Sequence, residues 1–473
     1  RRTRLDLLGV ERVSMSHPDR VTARLIEHIV SHRYETLAPD AVTATSTYVL
    51  DSLGVALAGS RVPLVSQLID LAQNWGQSKD CRIWGTGQRV PAITAAFVNG
   101  YQIHNQEWDC VHEPAVVHPM AVVLSTLLAW SEQHGRIDGK RFVSGCNVAV
   151  DVATTIGRAA RNKLRFFRPA MCGALGATAG IANMLNLDDD TTRSALGLCY
   201  SQLSGTMQAH VEGSPMLPLQ IGINTRAALL AIDLAVRAVQ GPRHFLEGDF
   251  GYFTLFDSEW DPSAFDLLGT RSEMTQLSHK PFPSGRATHG GVDGALTLRE
   301  QLGFATADID EIRVYAPPLV VQLVDRPARA DMLPAYARLC LPYVVATALL
   351  TGDVTVGDFD REELRSAERL ALAGRIRVLR DANPSLNALA PQRVEVQLRS
   401  GRIEGLALPA VLGAPGRPLT RERHFAKFRR AASAGRKPMS PESISKLIRL
   451  VDDLPAMTDM TQLVDAMLFE DAA

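Results

Sequence analysis

Two stretches of this chain, VPAITAAFVNGYQI and MAVVLSTLLAWSEQ, read as apolar helices with little polar surface to turn toward water. The sixteen residues between them, His104 to Pro119, are HNQEWDCVHEPAVVHP. They hold three histidines (His104, His112, His118), three carboxylates (Glu107, Asp109, Glu113) and Cys110. A chain that buries both flanks must bury this segment as well. Buried ionisable groups are costly unless they pair or do chemistry. The fold is therefore expected to be organised around this stretch and the partners it needs.

From about residue 20 to 270 the pattern is helical. Asp40 reads as an N-cap before AVTATSTYVLDSLGVALAGS, whose apolar face is rich in Ala, Gly and Ser. Small residues let helices approach closely, which predicts a dense bundle. CRIWGTG (81–87) reads as an extended piece and a turn. Further helices are expected from Val90, over 119–133, in RFVSGCNVAVDVATTIGRAA, after FRP, after DDD and over 220–240.

Near residue 270 the character changes. DEIRVYAPP (310–318) alternates like a strand, and RVEVQLRSGRIEGLALP (393–409) reads as a hairpin turning at Ser400-Gly401. Helices are expected between them at 287–302, 334–351 and 360–372. From Thr420 the pattern is helical again. The expected fold class is mainly α with α+β. Residues 1–270 with 411–473 would form a large helical domain, and 271–410 a smaller α+β domain inserted into it.

The totals exclude several classes. The chain has 473 residues, 46% hydrophobic and 21% charged, with a formal net charge of -1, an ordinary globular composition of two or three domains. That balance leaves no footprint for nucleic acid or an anionic membrane. The basic segment TRERHFAKFRRAASAG is amphipathic and reads as a solvated helix face. No uninterrupted apolar run reaches the ~18 residues of a membrane helix. The start, RRTRLDLLGVERVSMSHPDR, lacks an apolar core and reads as a frayed terminus, not a signal peptide. Six scattered cysteines without a close pair point to a reducing cytosol, with no structural zinc and no closely spaced cysteine cluster.

The histidines of the central stretch are eight and six residues apart, matching neither HExxH nor a helical i,i+4 pair, so no metal is expected there. A histidine tuned between carboxylates suits general acid/base work beside a substrate carboxylate. A second stretch, LSHKPFPSGRATHGG (277–291), places Lys280, Arg286 and His289 at turns before a helix, a ready anion site. Arg168 precedes a Gly-rich helix in LRFFRPAMCGALG, and Tyr343 stands in the apolar LCLPYVVATALLTG.

In this order, STYVLDSLGVALAGS, AAFVNGYQIHNQEWD…HP, FRPAMCGALGATAGIANMLNLD, KPFPSGRATH, LPYVVATALLTGDV and AKFRRAA resemble the MmgE/PrpD family over nearly the whole chain. The resemblance implies a large all-helical domain, a smaller α+β lid domain, a homodimer, and an active site between domains. It implies acid/base chemistry on small polycarboxylates with no dissociable cofactor. His118 falls on the family's His-Pro position. Lys280, Arg286 and His289 match the lid-loop pattern, and Tyr343 the helix tyrosine. The family's acidic D-x-D-D run reads Glu107-Trp108-Asp109-Cys110 here. Its His before Pro is Arg168, and its Lys-x-x-His-x-Gly reads Leu217-Pro218-Leu219-Gln220-Ile221-Gly222.

The expected function is a dehydratase-type lyase acting on a small polycarboxylic acid in the cytoplasm. His118 would carry the proton. Asp109 and Glu107 would orient it or act as the conjugate acid. Lys280, Arg286 and Arg168 would hold carboxylates, with His112 a further substrate-binding candidate. Tyr343 or His289 would protonate the leaving hydroxyl. His104 would keep a structural role at a helix end. An isomerase or a decarboxylase is the alternative among enzymes. A metabolite-binding paralogue without turnover is the alternative outside catalysis.

Overall fold

The computed structural model describes residues 19–467. The segment read as a frayed terminus lies almost wholly outside the described residues. The first part of the chain is helical: α1 Arg20–Ser31, α2 Pro39–Gly59, α3 Pro63–Trp75, α4 Ala92–His104, α5 Pro119–His134, α6 Gly139–Ala159, α7 Arg168–Met184, α8 Asp189–Tyr200, α9 Gln208–Glu212, α10 Met216–Ala235 and α11 Tyr252–Phe256. A two-stranded antiparallel ribbon, β1 Cys81–Arg82 and β2 Arg89–Val90, interrupts it.

Prolines set several starts. α2, α3, α5 and α7 each carry Pro in the first turn, where the missing N–H has no helical partner to lose. The N-cap of α2 is Ala38 rather than Asp40. Asp40 lies inside the first turn, where its charge still favours the helix dipole. Side-chain caps appear at α6, where Asp138 accepts from Arg141 N at 2.9 Å, and at α8, where Asp188 accepts from Thr191 N at 2.8 Å.

The bundle is centred on α7, which packs against α5, α6 and α10. A Cβ at Gly176 would lie 2.3 Å from the carbonyl oxygen of Ala149, so the α6–α7 approach requires glycine there. The dense packing expected from small residues is realised at this contact. α2 is long and apolar enough to cross a bilayer by length and composition, yet 72% of its apolar window is buried inside the protein. It is a core helix here. All six cysteines are free thiols and buried.

The α+β part contains α12 His289–Leu302, β3 Ile309–Ala316, α13 Pro318–Val324, α14 Pro334–Ala337, α15 Leu341–Thr351, α16 Ala367–Ala373, β4 Ile376–Arg380, β5 Gln392–Leu398 and β6 Ile403–Leu408. Its sheet runs β4-β3-β5-β6, parallel between β3 and β4 and antiparallel elsewhere. The hairpin read at 393–409 is β5–β6, with Gly401 at φ 86° in its turn. The helix read over 334–351 is two helices. Pro342 fits the first turn of a new helix and would break the interior of one long helix.

After residue 410 the chain returns to the bundle. α17 Arg421–Ser433 and α18 Pro441–Asp452 pack on α2, and α19 Thr461–Asp465 packs on α5. Lys427, on α17, lies 2.6 Å from Asp51 Oδ1 and donates to the Trp108 carbonyl at 2.8 Å.

Candidate active site

The titratable stretch is a folded loop with its own hydrogen bonds. α4 ends at His104, and the chain turns through Glu107 at φ 52°. That left-handed conformation costs a non-glycine residue ~1–3 kcal/mol and persists where contacts hold it. Here Lys280 Nζ donates both to the Glu107 carbonyl at 3.1 Å and to its Oε2 at 3.0 Å. His112 and Val117 pair as a small hairpin, with Val116 left-handed at its turn (φ 55°). Val111 and Ser278 exchange two backbone hydrogen bonds, at 3.0 and 2.7 Å. That bridge brings the stretches 104–119 and 277–291 together as one wall.

Asp109 sits at the centre with no exposed surface. His104 Nδ1 lies 3.0 Å from Asp109 Oδ2, and His118 Nδ1 lies 3.3 Å from the same oxygen. The His104 contact has hydrogen-bond geometry, whereas His118 Nδ1 is buried without a hydrogen-bond partner. Lys280 Nζ is 3.7 Å from Asp109 Oδ1. His104 Nε2 is 3.6 Å from Glu107 Oε1. The two imidazoles meet edge to face, 4.9 Å between centroids.

This environment drives the two histidines apart. Burial opposes charge on His104, but Asp109 and Glu107 outweigh it and raise its pKa above 6.5. Burial, reinforced by the charge of Lys280, lowers the pKa of His118 below 6.5, with Asp109 offsetting only part. Burial also works against the carboxylates, yet Lys280 and His104 bring Glu107 down to about 2. The two histidines and Lys280 hold Asp109 well below its ordinary value. The surroundings therefore favour the neutral form of His118 and the charged form of His104, with both carboxylates ionised near neutral pH. Paired groups whose pKa values are pushed apart mark the base and the acid of a proton-transfer site.

His104, Glu107, His118 and Arg286 line a small chamber of about 60 Å³ between the helical and α+β parts. Much of its remaining wall is apolar: Phe167, Met207 and Leu217 on one side, Val324 and Leu339 on the other. Arg286 is countered by Glu113 at 2.8 Å and donates to the carbonyls of Val411 and Leu412.

Other residues singled out in the sequence lie elsewhere. Arg168 is buried, 3.1 Å from Asp257. The Tyr343 hydroxyl donates to the Asp358 carbonyl at 2.7 Å, within the α+β core. His289 Nε2 meets the Ser284 carbonyl at 3.1 Å, and burial with the Arg286 charge keeps its pKa well below 6.5. His112 pairs with Glu273 at 3.0 Å. Arg168, Tyr343, His289 and His112 are not among the chamber-lining residues, and neither are Asp109 and Lys280; Lys280, expected to hold a substrate carboxylate, is instead paired with Glu107 and Asp109.

His104 corrects the reading in the other direction. It does end a helix, but it lines the chamber and makes the shortest contact to Asp109 among the groups that surround it. Its offsets of three and five residues from Glu107 and Asp109 across a helix end are the sequence signal for this. His210, on α9, was not singled out and also lines the chamber. Burial, then the nearby Arg326, lowers its pKa to about 4.

Two groups of side chains among the described residues have metal-ligand atoms within 4.8 Å of one another: His104, Asp109 and His118, and Asp51, His279 and His424. In both, a lysine ammonium already counters the carboxylate, Lys280 for Asp109 and Lys427 for Asp51. A divalent ion would have to sit beside that fixed positive charge.

Comparison with known proteins agrees with this architecture. A family model described as the MmgE/PrpD N-terminal domain matches residues 23–264, and one for the MmgE/PrpD C-terminal domain matches 282–453. Cis-aconitate decarboxylase of Mus musculus is 26% identical, covering 92% of each chain. The Homo sapiens cis-aconitate decarboxylase is 26% identical over 90% of each. The 2-methylcitrate dehydratase of Salmonella typhimurium is 23% identical over 73% of this chain and 74% of its own. With both family domains matched in order across most of its length, this chain belongs to the MmgE/PrpD family.

Proposed function

We propose that this protein is a lyase that transfers a proton at the carbon beside a carboxylate of a small polycarboxylic acid, in the manner of a dehydratase. The observation that carries the reading is the His118–Asp109–His104 cluster, in which two imidazoles face one buried carboxylate, the one with its pKa lowered and the other with its pKa raised. His118 takes the proton from carbon. Asp109, kept ionised, stabilises the imidazolium that forms. His104 is the proton donor to the leaving hydroxyl, because Glu107 and Asp109 hold no proton near neutral pH. Lys280 neutralises this carboxylate pair and keeps the loop in its turned conformation. Arg286 is the cation on the chamber wall for the substrate carboxylate.

The relatives' names support the substrate class. Decarboxylation is the second reading, favoured by the fuller coverage of the decarboxylase relatives. There the carboxylate leaves as carbon dioxide, its bonding electrons pass to carbon, and His104 returns a proton to that carbon.

The chamber is smaller than the ~300 Å³ at which ligand pockets usually begin. Its two walls come from different parts of the chain, so substrate entry requires them to separate.

The deciding measurement is incubation with 2-methylcitrate and cis-aconitate in deuterated water. A dehydratase gives an absorbing alkene, and a decarboxylase gives carbon dioxide with deuterium at the protonated carbon. Exchange at carbon with every substituent retained would make the enzyme an epimerase. No turnover and no exchange with any polycarboxylate would remove the lyase reading.

The pH profile follows from the two imidazoles. The rate requires His118 neutral and His104 charged. kcat/KM is expected to fall on the acid side below 6.5, as His118 takes up a proton, and on the alkaline side above 6.5, as His104 loses one. An acid limb centred above 6.5, or an alkaline limb centred below it, would contradict the assignment.

A further inference from the structure

Among the described residues five arginines are buried: Arg82, Arg168, Arg286, Arg338 and Arg369. Four have a carboxylate partner. Arg82 pairs with Glu132 and Asp465, Arg168 with Asp257 at 3.1 Å, Arg286 with Glu113 at 2.8 Å, and Arg369 with Asp358 at 2.8 Å. Arg338 has none within ion-pair distance. Its Nη2 donates to Gln106 Oε1 at 2.5 Å, and its Nε is buried with no partner. The guanidinium carbon lies 4.5 Å from the centroid of the Phe359 ring. Burial lowers the pKa of Arg338 to about 10, so it remains charged at neutral pH.

A buried charge without a counter-ion is costly, and an anion that reaches it relieves the cost. Arg338 lines a cleft of about 420 Å³, within the range of small-molecule sites. Tyr101, Leu64, Pro218 and Phe359 give this cleft an apolar lining. Arg61, a second cation on the cleft, is countered by Asp360 at 3.1 Å. The cleft shares no lining residue with the catalytic chamber. The two are nevertheless adjacent through the backbone. Gln106 precedes Glu107, Leu339 follows Arg338 and lines the chamber, and Gly285 N donates to the Arg338 carbonyl at 2.9 Å.

We propose that Arg338 is the anchor of a second anion site, which takes the carboxylate of a small organic monoacid and seats its apolar body against Phe359, Tyr101 and Pro218. Glu107 and Asp360 act on Arg338 only from beyond ion-pair distance, and Asp360, on the cleft wall, is held by Arg61, so one guanidinium without a direct partner suits one carboxylate. Planar guanidinium and carboxylate match in a two-point contact, and the ring of Phe359 backs the guanidinium face.

The test is calorimetric titration of the full chain with hexanoate, benzoate, citrate and inorganic phosphate at constant ionic strength. The proteins are wild type, Arg338→Gln, Leu64→Glu and His118→Ala. Hexanoate or benzoate is expected to bind wild type and His118→Ala equally, and at least tenfold more weakly to Arg338→Gln. Leu64→Glu keeps Arg338 but supplies a competing carboxylate in the cleft, and should weaken binding similarly should Arg338→Gln fail to fold. Loss of binding in His118→Ala would place the acid in the catalytic chamber and overturn the proposal. So would binding to both cleft variants as tight as to wild type, absence of monoacid binding to wild type, or phosphate binding as tightly as the monoacids. Sedimentation of the same proteins supplies the last arm. A change in oligomeric state with Arg338→Gln would assign the cleft to a second copy of the chain instead.

Discussion

His118→Ala is expected to lower kcat by ~100-fold or more on the correct substrate, because a positioned general base contributes ~10²–10⁴-fold. The protein should remain folded. His118 Nδ1 makes no hydrogen bond, and Asp109 keeps its contacts with His104 and Lys280 when the ring is removed. The acid limb of the pH profile should disappear with it, since that limb reports His118 taking up a proton. His104→Gln is the companion variant, and it should remove the alkaline limb. Should His118→Ala retain near-normal turnover while His104→Gln loses it, His118 is neither the base nor the acid and the assignment fails. Loss in both, with separate effects on the two limbs, is the outcome that fits the geometry.

Lys280→Met is expected to destabilise the fold by ~3–5 kcal/mol, the cost of breaking a buried ion pair by removing one partner. Lys280 has no exposed surface, and its ammonium faces both Glu107 and Asp109. Without it, two buried carboxylates share one loop. Adding Glu107→Gln should recover a large part of the loss, and the double-mutant cycle gives the coupling directly. The pH dependence should change in the same experiment. In wild type, Glu107 is held at about 2 against an ordinary 4.5, so its contribution is full above 4.5 and is lost as pH falls toward 2. In Lys280→Met the carboxylate loses its main counter-charge and burial raises its pKa. Stability should then increase on acidification through that raised value. A variant as stable as wild type across pH 3–8 would show that Lys280 is not what balances the loop.

Much of the fold was legible because it is written in periodicity. The apolar helices on either side of residues 104–119, the hairpin at 393–409 and the return to helix after Thr420 are local patterns, and each appears in the structure. β4 escaped the sequence reading because a five-residue strand is defined by its parallel pairing with β3, a contact distant in sequence. The site was legible in part. The segment was visible from composition, and Lys280 does reach Glu107. The roles of individual histidines depend on the charges each ring meets: the short offsets from His104 to Glu107 and Asp109 point to its partners, but the charge that acts on His118 comes from Lys280, on a distant stretch of the chain. Arg168 looked like a substrate clamp because its countercharge, Asp257, lies eighty-nine positions away. Tyr343 reads as an acid because it matches the family's helix tyrosine, whereas its hydroxyl donates to the main-chain carbonyl of Asp358.

The contact of Lys427 with Asp51 and Trp108 has a consequence for biosynthesis. It ties the loop that carries Glu107 and Asp109 to a helix 319 residues later. At ~5–20 residues per second, a ribosome needs roughly 15–65 s to travel from Trp108 to Lys427. Throughout that interval Asp51 lacks its ammonium and α2 lacks the cover of α17. The bundle therefore stays unfinished until the last helices emerge, and truncation just after the α+β part removes the support of the active-site loop while leaving every chamber residue in the chain.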